Sequence, residues 1–275
     1  MDTTNKVDML NGPILKKMII FALPLALGSI FQQLFNMVDS AVVGQFASSE
    51  ALAAVGANAP VVNLFINFFV GISVGSSVLI ATYIGSGNEK NLSKAVHTSI
   101  SVSLICGLGL AVLVLFVAQP LLLFMGTPDN IIDLAVLYLR IYGIGMPFIL
   151  LYNFTSAILR SAGDSKHPFY ALVIGGIINA TLNLILVIGF HRSVDGVAIA
   201  TVVSNIVAAF YVLYYLSHER EALRFHIKKL TITKKELMSI LKIGIPAGLQ
   251  GTVFSLSNVI IQSTINSFGS SVIAG

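Results

Sequence analysis

The chain has 275 residues, of which 56% are hydrophobic and only 10% are charged. Soluble domains carry about 25% charged residues, so this composition excludes an ordinary soluble globular protein and indicates an integral membrane protein. The formal net charge is +4, and the positions of the charges are more informative than their sum. The single cysteine, Cys106, lies in an apolar run, which excludes an intramolecular disulfide and a multi-cysteine metal site.

Long apolar runs predict an all-α, polytopic transmembrane bundle. About 20 helical residues cross a hydrocarbon core about 30 Å thick, and the sequence holds six such runs and the start of a seventh. The runs cover residues 15–46, 52–84, 95–118, 131–159, 168–190, 196–217 and 238–275. Four prolines within these runs are candidate helix kinks, namely Pro24, Pro60, Pro147 and Pro246.

The basic residues predict the orientation of the bundle. Fourteen of the sixteen Lys and Arg residues lie in the N-terminal segment and in every second connector, on one side if the helices alternate. Cationic loops remain in the cytoplasm. We therefore expect a multi-pass protein of the plasma (inner) membrane with a cytoplasmic N-terminus. The most basic connector, 218–237, is either a solvated linker or a binder of anionic lipid headgroups.

The seventh run repeats the first. Residues 23–49 align without gaps to residues 245–271, with 7 identities in 27 positions, and Pro24 matches Pro246 at an offset of 222. Repeats in transporters place a binding site between two bundles. The repeat predicts an N-lobe of six helices (1–217), a cytoplasmic linker (218–237) and the first helix of a C-lobe (238–275). We expect a two-bundle chain of about 444 residues, of which this chain is a fragment; a half-size protein that dimerises is the alternative.

Asp39 is an isolated acid in the apolar stretch FNMVDSAVVG. A carboxylate in hydrocarbon is costly, so it usually faces a wet cavity, a partner or an ion. The alternative is a solvated position at the outer interface, because 22 residues of helix from Lys17 to Asp39 span about 33 Å. Both interpretations remain open from the residues alone.

Five stretches together resemble the multidrug and toxic compound extrusion (MATE) family, over essentially the whole chain. They are the first-helix pattern from Pro24 through Asn36 and Asp39 to Gly44, then LAAVG, LRSAGDSKHP, GIINATLNLILVIGF and GVAIATVVS. The resemblance implies a twelve-helix exporter of two six-helix lobes. Such proteins move organic cations out of the cell in exchange for Na⁺ or H⁺.

The resemblance also implies a cation site formed by Asp39, Asn179, Asn183 and Thr201, with the first three as tentative Na⁺ ligands. Some relatives have an aspartate at the position of Asn183, and an amide cannot carry a proton. Asp39 is then the only acid expected within the N-lobe helices. Asn179 and Asn183 share one helix face, which also suits plain interhelical hydrogen bonds. No cofactor is expected besides the coupling ion.

Further polar side chains are weaker candidates. Possible cavity-lining residues are Asn36, Gln33, Asn153 and Tyr152. Tyr138 and Tyr142 suit packing or the membrane interface better than a drug cavity. Arg140 either extends to the interface or pairs with an acid.

Two alternative functions compete with export. A flippase for lipid-linked sugars would need more cations than Arg140 along its cavity, and a non-transporting scaffold fragment is the alternative from another class. GISVG (71–75) matches a hydrolase motif and a helix-packing motif, and its place in a long apolar run favours packing. We therefore expect no enzyme. The expected partners are small organic cations, membrane lipids and the missing C-lobe, and no nucleic acid.

Overall fold

The computed structural model describes residues 14–269 and 272–273. Seven long helices run through these residues, and each is long and apolar enough to cross a membrane. They are α1 (Ile14–Phe46), α2 (Ser49–Gly85), α3 (Glu89–Phe124), α4 (Asp129–Ser161), α5 (Lys166–Asn183), α6 (Val194–Ser217) and α7 (Lys234–Asn266). A π-helical segment, Leu184–Gly189, continues α5. The prediction of an all-α polytopic bundle is confirmed.

Polar caps extend the helices beyond the apolar runs. The Ser48 side chain accepts a hydrogen bond from the Ala51 amide at the start of α2, and Asn88 caps α3 in the same way. Because of the second cap, α3 begins six residues before the run that predicted it. With 37 residues, α2 is about 55 Å long and extends past a hydrocarbon core.

α4 forms the centre of the bundle and packs against α2, α3 and α6. In its most apolar segment 67% of the residues are buried, against 6% in α1 and 17% in α7. Phe154, Leu139 and Met146 of α4 are fully buried. α4 is therefore the scaffold of the fold, whereas α1 and α7 lie at its periphery.

Glycines bring α7 into backbone contact with α2. A Cβ on Gly75 would lie 2.8 Å from the Gly244 amide nitrogen, and one on Gly71 would overlap the backbone of Gly248. Beside this crossing, Asn67 Nδ2 donates to Ser255 Oγ at 2.8 Å. The GISVG segment is helical, and it packs as small-residue motifs do in membrane helices.

α1 and α7 have the lengths expected of two copies of one segment. Each contains 33 residues, with Pro24 inside α1 and Pro246 inside α7. Pro60 and Pro147 lie inside α2 and α4. A proline inside a helix removes a backbone donor, and kinks at these positions stay predictions.

The connector between α6 and α7 is held against α3 rather than freely solvated. The backbone amide of His226 donates to His97 Nε2 at 3.1 Å, and that of Thr233 donates to Thr98 Oγ1 at 3.1 Å. Leu223 of the connector is buried. The basic side chains from Lys228 to Lys235 stay exposed. The connector thus has a fixed path along one end of the bundle.

Candidate cation site

α1 turns one narrow face toward the bundle, and Asp39 lies on it. Phe31, Phe35 and Asp39 are partly buried at every fourth position, while the residues between them are exposed. Residues four apart lie on the same helix face. One turn beyond Asp39, Val42 and Val43 are buried in the core. The fold therefore directs the carboxylate inward and not into the surrounding medium.

α5 presents two buried amides to this face. Asn179 is 6% exposed and Asn183 is fully buried, one turn further along. Asn183 is the last residue of α5 before the π-helical segment. π-Helical turns are rare and occur frequently at functional sites. The change in helix type thus begins directly after the side chain that reaches Asp39.

Three helices meet at Asp39 through side-chain hydrogen bonds. Asn183 Nδ2 donates to Asp39 Oδ1 at 2.5 Å and lies 3.2 Å from Asn179 Oδ1. The Thr201 hydroxyl of α6 lies 3.2 Å from the Asn179 amide and donates to the Val197 carbonyl at 2.9 Å. The four residues that the resemblance assigned to the cation site are therefore joined in one network.

The Asn179 amide satisfies its hydrogen bonds when its nitrogen faces Asp39. In this orientation it donates to Oδ1 at 2.6 Å, and its oxygen lies 3.2 Å from the Thr201 hydroxyl. The carboxylate is thus held by amide donors from two successive turns of α5.

The oxygens at this site are suitable ligands for a hard cation. Asn183 Oδ1 is buried and has no hydrogen-bond partner within residues 14–269 and 272–273. Buried polar atoms are nearly always paired, so an orphan oxygen beside a carboxylate favours a bound donor or cation. Carboxylate, amide and hydroxyl oxygens of Asp39, Asn179, Asn183 and Thr201 are the donor types that hard cations prefer.

Two tyrosines that the sequence assigned to packing or the membrane interface lie close to the Asp39 end of α1. Tyr138 and Tyr142 are buried one turn apart on α4, with ring centroids 5.9 Å apart. They belong to the same core cluster as Val42 and Val43 of α1. Their spacing on one helix face is visible in the sequence, whereas their place beside α1 depends on the tertiary fold.

The weaker candidates lie in two places. Gln33 and Asn36 are hydrogen-bonded to each other at 3.2 Å and lie with Met37 and Ser40 on an exposed face of α1. Asn153 and Tyr152 are not brought to this face. Asn153 donates to the Ile149 carbonyl of its own helix, and the Tyr152 hydroxyl donates to the Pro168 carbonyl at 3.1 Å.

Comparison with known proteins identifies the family. Residues 24–185 match the sequence model of the MatE family. The probable multidrug resistance protein YoeA of Bacillus subtilis (strain 168) is 34% identical over 266 residues, which cover 94% of this chain and 58% of YoeA. The chain therefore spans less than two thirds of the length of that relative.

Solved transporters share the fold. One is the inward-facing conformation of a multidrug resistance MATE family transporter (TM-score 0.81, 28% identity, covering 88% of this chain and 56% of that one). Another is an outward-facing conformation (TM-score 0.84, 28% identity, covering 94% and 57%). With the family match spanning more than half of its residues, the chain belongs to the MatE family of multidrug and toxic compound extrusion transporters.

Proposed function

We propose that this chain forms the N-lobe of a secondary active exporter that moves organic cations out of the cell by antiport with Na⁺ or H⁺. The observation that carries the proposal is the carboxylate of Asp39, held at 2.5 Å by the buried Asn183 amide inside a membrane helix. The relatives named as multidrug resistance proteins support the same class of substrate.

Asp39 couples the two fluxes by alternating between two states. As a free carboxylate it accepts hydrogen bonds from Asn183 and Asn179, which ties α1 to α5. A proton or Na⁺ on Asp39 replaces one of these donors and requires the Asn179 oxygen to face it. A ligand shifts a conformational equilibrium by its different affinity for the two states. The packing of α1 therefore depends on whether the cation is bound.

A second lobe completes the transporter in this proposal. Transporters built from repeats bind their substrate between two bundles that rock against each other. Gln33 and Asn36 lie on an exposed face of α1, where a facing lobe would enclose them. The chain without that lobe is expected not to export.

The orientation follows from the basic residues. The N-terminal segment, the α2–α3 and α4–α5 connectors, the linker and the helix turns next to them carry fourteen of the sixteen Lys and Arg residues. Helices that alternate in direction place these connectors at one end of the bundle. By the positive-inside rule this end, with the N-terminus, faces the cytoplasm of the inner membrane.

Arg140 does not support the flippase alternative. Its side chain is exposed on α4, and it forms no ion pair with any residue that the structure describes. A flippase for lipid-linked sugars would need several cations converging on one cavity to meet phosphate groups. The polar side chains that do converge are a carboxylate, two amides and a hydroxyl, which suit a cation.

Labelling by a hydrophobic carbodiimide, which modifies protonated carboxyl groups, tests this role on the chain itself. In proteoliposomes, we expect Na⁺ to suppress labelling of Asp39 relative to choline if Na⁺ is the coupling ion. If H⁺ is the coupling ion, labelling of Asp39 rises as the pH falls around neutrality and does not respond to Na⁺. Asp39→Asn abolishes the labelled peptide. The control Asp133→Asn removes an exposed acid in the first turns of α4 and leaves the labelling intact.

Labelling of Asp39 that responds to neither cation around neutral pH would contradict the proposal. That result would show a carboxyl group that does not exchange ions under the conditions in which an exporter works.

A further inference from the structure

α1 is held against the bundle at only a few points, although it carries the acid of the site. Only 6% of its most apolar segment is buried. Beyond Asp39, Val42 and Val43 anchor the end of the helix in the core. Before Asp39, α1 packs against α5 through Phe31 and Phe35, and Gly28 lies against Phe169 one turn earlier. The position of Asp39 therefore depends on the contact one turn on either side of it.

Phe35 fills a notch in α5 that exists because residue 176 is glycine. A Cβ on Gly176 would overlap three atoms of the Phe35 ring. Gly176 lies three residues before Asn179, and Phe35 lies four residues before Asp39. The ring thus lies one turn before the carboxylate on α1, and the notch lies one turn before Asn179 and two turns before Asn183 on the same face of α5.

The two helices run in the same direction and meet at three successive points, spaced four residues apart on α1 and seven residues apart on α5. Phe31 contacts Phe169 with ring centroids 5.9 Å apart, Phe35 meets Gly176, and Asp39 meets Asn183. The steps along α5 are seven residues each, so all three contacts fall on one stripe. A displacement at the middle contact is transmitted to the one above it, because a packed interface is stiff.

We infer that Gly176 is a positioning residue for Asp39: its missing side chain seats Phe35 and thereby sets the height and rotation at which Asp39 meets Asn179 and Asn183. The inference rests on the proposed role of Asp39 as the cation-coupling acid. Gly176 touches neither the carboxylate nor the cation. It acts only through Phe35 and the path of α1.

The neighbouring glycine provides a matched control. Gly175 faces α6 instead of α1, and a Cβ there would lie 3.4 Å from the Ala208 Cβ, an ordinary van der Waals contact. Gly175→Ala and Gly176→Ala therefore add the same methyl group to adjacent residues of one helix. The two changes have equal helix propensity, and only the second displaces the Phe35 ring.

The test measures two properties of Asp39 in proteoliposomes of the chain. The first is its labelling rate with a water-soluble carbodiimide in the absence of the coupling cation, which reports how well α5 shields the carboxyl group. The second is the coupling-cation concentration that half-saturates the change in labelling. For Gly176→Ala we expect faster labelling and a half-saturating concentration raised about tenfold, since small misplacements of a site cost one to two orders of magnitude.

Gly175→Ala is expected to match the wild type in both properties. The double variant Gly176→Ala with Phe35→Ala, in which the methyl group occupies space the ring has left, restores both toward wild type. Such rescue separates positioning from a general loss of folding. Wild-type behaviour of Gly176→Ala, or a failure of Phe35→Ala to rescue it, would overturn the inference. If Gly176→Ala labels faster than the wild type and is rescued by Phe35→Ala while no cation changes the labelling of wild-type Asp39, the positioning role of Gly176 stands and the proposed function fails.

Discussion

Asp39 differs from the other acids of the described helices in its distance from a helix start. It is preceded by 25 residues of α1, whereas the other acids of these helices lie within their first five residues. Those acids are Glu50, Glu89, Asp129, Asp133, Asp195 and Glu236. Acids near helix starts are explained by the helix dipole. Asp39 has no such explanation, and its partners are the Asn179 and Asn183 amides.

Asn183 is expected to contribute directly to cation binding. Asn183→Leu keeps the volume but removes the donor to Asp39 and the unpaired amide oxygen. Because the bound cation loses this oxygen as a ligand, the half-saturating cation concentration should rise about tenfold, which corresponds to about 1.4 kcal/mol. Carbodiimide labelling of Asp39 over a cation titration measures it.

Asn153→Leu serves as the control for this change. The Asn153 amide donates within its own helix to the Ile149 carbonyl at 2.8 Å and lies outside the network around Asp39. Cation titrations of this variant should superimpose on the wild type. Equal shifts in both variants would show that the loss comes from the fold and not from the site.

At the scale of helices, the sequence predicts the spans well because one property, apolar length, determines them. The apolar run predicts residues 196–217, and α6 is Val194–Ser217. The prediction falls short where polar residues continue a helix outside the apolar run, as at the start of α3. The π-helical segment Leu184–Gly189 has no sequence signal that we recognised.

The candidate cation site is also only partly predictable from the sequence. A family resemblance points to Asp39, Asn179, Asn183 and Thr201, and the structure brings them together. The sequence predicts neither the approach of the α4 tyrosines to Asp39 nor the seat of Phe35 on α5. Both depend on which helix faces meet, and a single sequence does not contain that information.

The crossing of α2 and α7 predicts a strong effect of a single methyl group. Gly71→Ala should force the helices apart, because the added Cβ overlaps the Gly248 backbone. Overpacking of this kind costs about 1–3 kcal/mol. A cysteine pair replacing Asn67 and Ser255, whose side chains lie 2.8 Å apart, should then cross-link less efficiently. The cysteine pair is introduced into a Cys106→Ser variant, so that the native cysteine cannot take part in the cross-link.

Gly109→Ala is the matched control for the crossing. A Cβ on this glycine of α3 would have no neighbouring atom within 4 Å among the residues that the structure describes, so a methyl group meets open space. Its cross-linking yield should equal that of the parent pair. An unchanged yield in Gly71→Ala would show that the glycine contact does not hold α7 in place.

At the scale of the whole molecule, the two weakly buried helices are the two copies of the repeat. α1 carries Asp39 and an exposed polar face with Gln33 and Asn36, while α7 is hydrogen-bonded to α2. The fold matches solved transporters in both inward-facing and outward-facing conformations. These features support an exporter in which the seating of α1 responds to the cation and a second lobe completes the path.

Transport in everted vesicles tests the central claim most directly. The chain is continued by the C-terminal lobe of YoeA, and uptake of a fluorescent organic cation is followed under a Na⁺ gradient alone and an H⁺ gradient alone. We predict that one gradient drives uptake and that Asp39→Asn abolishes it, while Asp133→Asn does not. Undiminished gradient-driven uptake by Asp39→Asn would contradict the account, because export would then be coupled without this carboxylate.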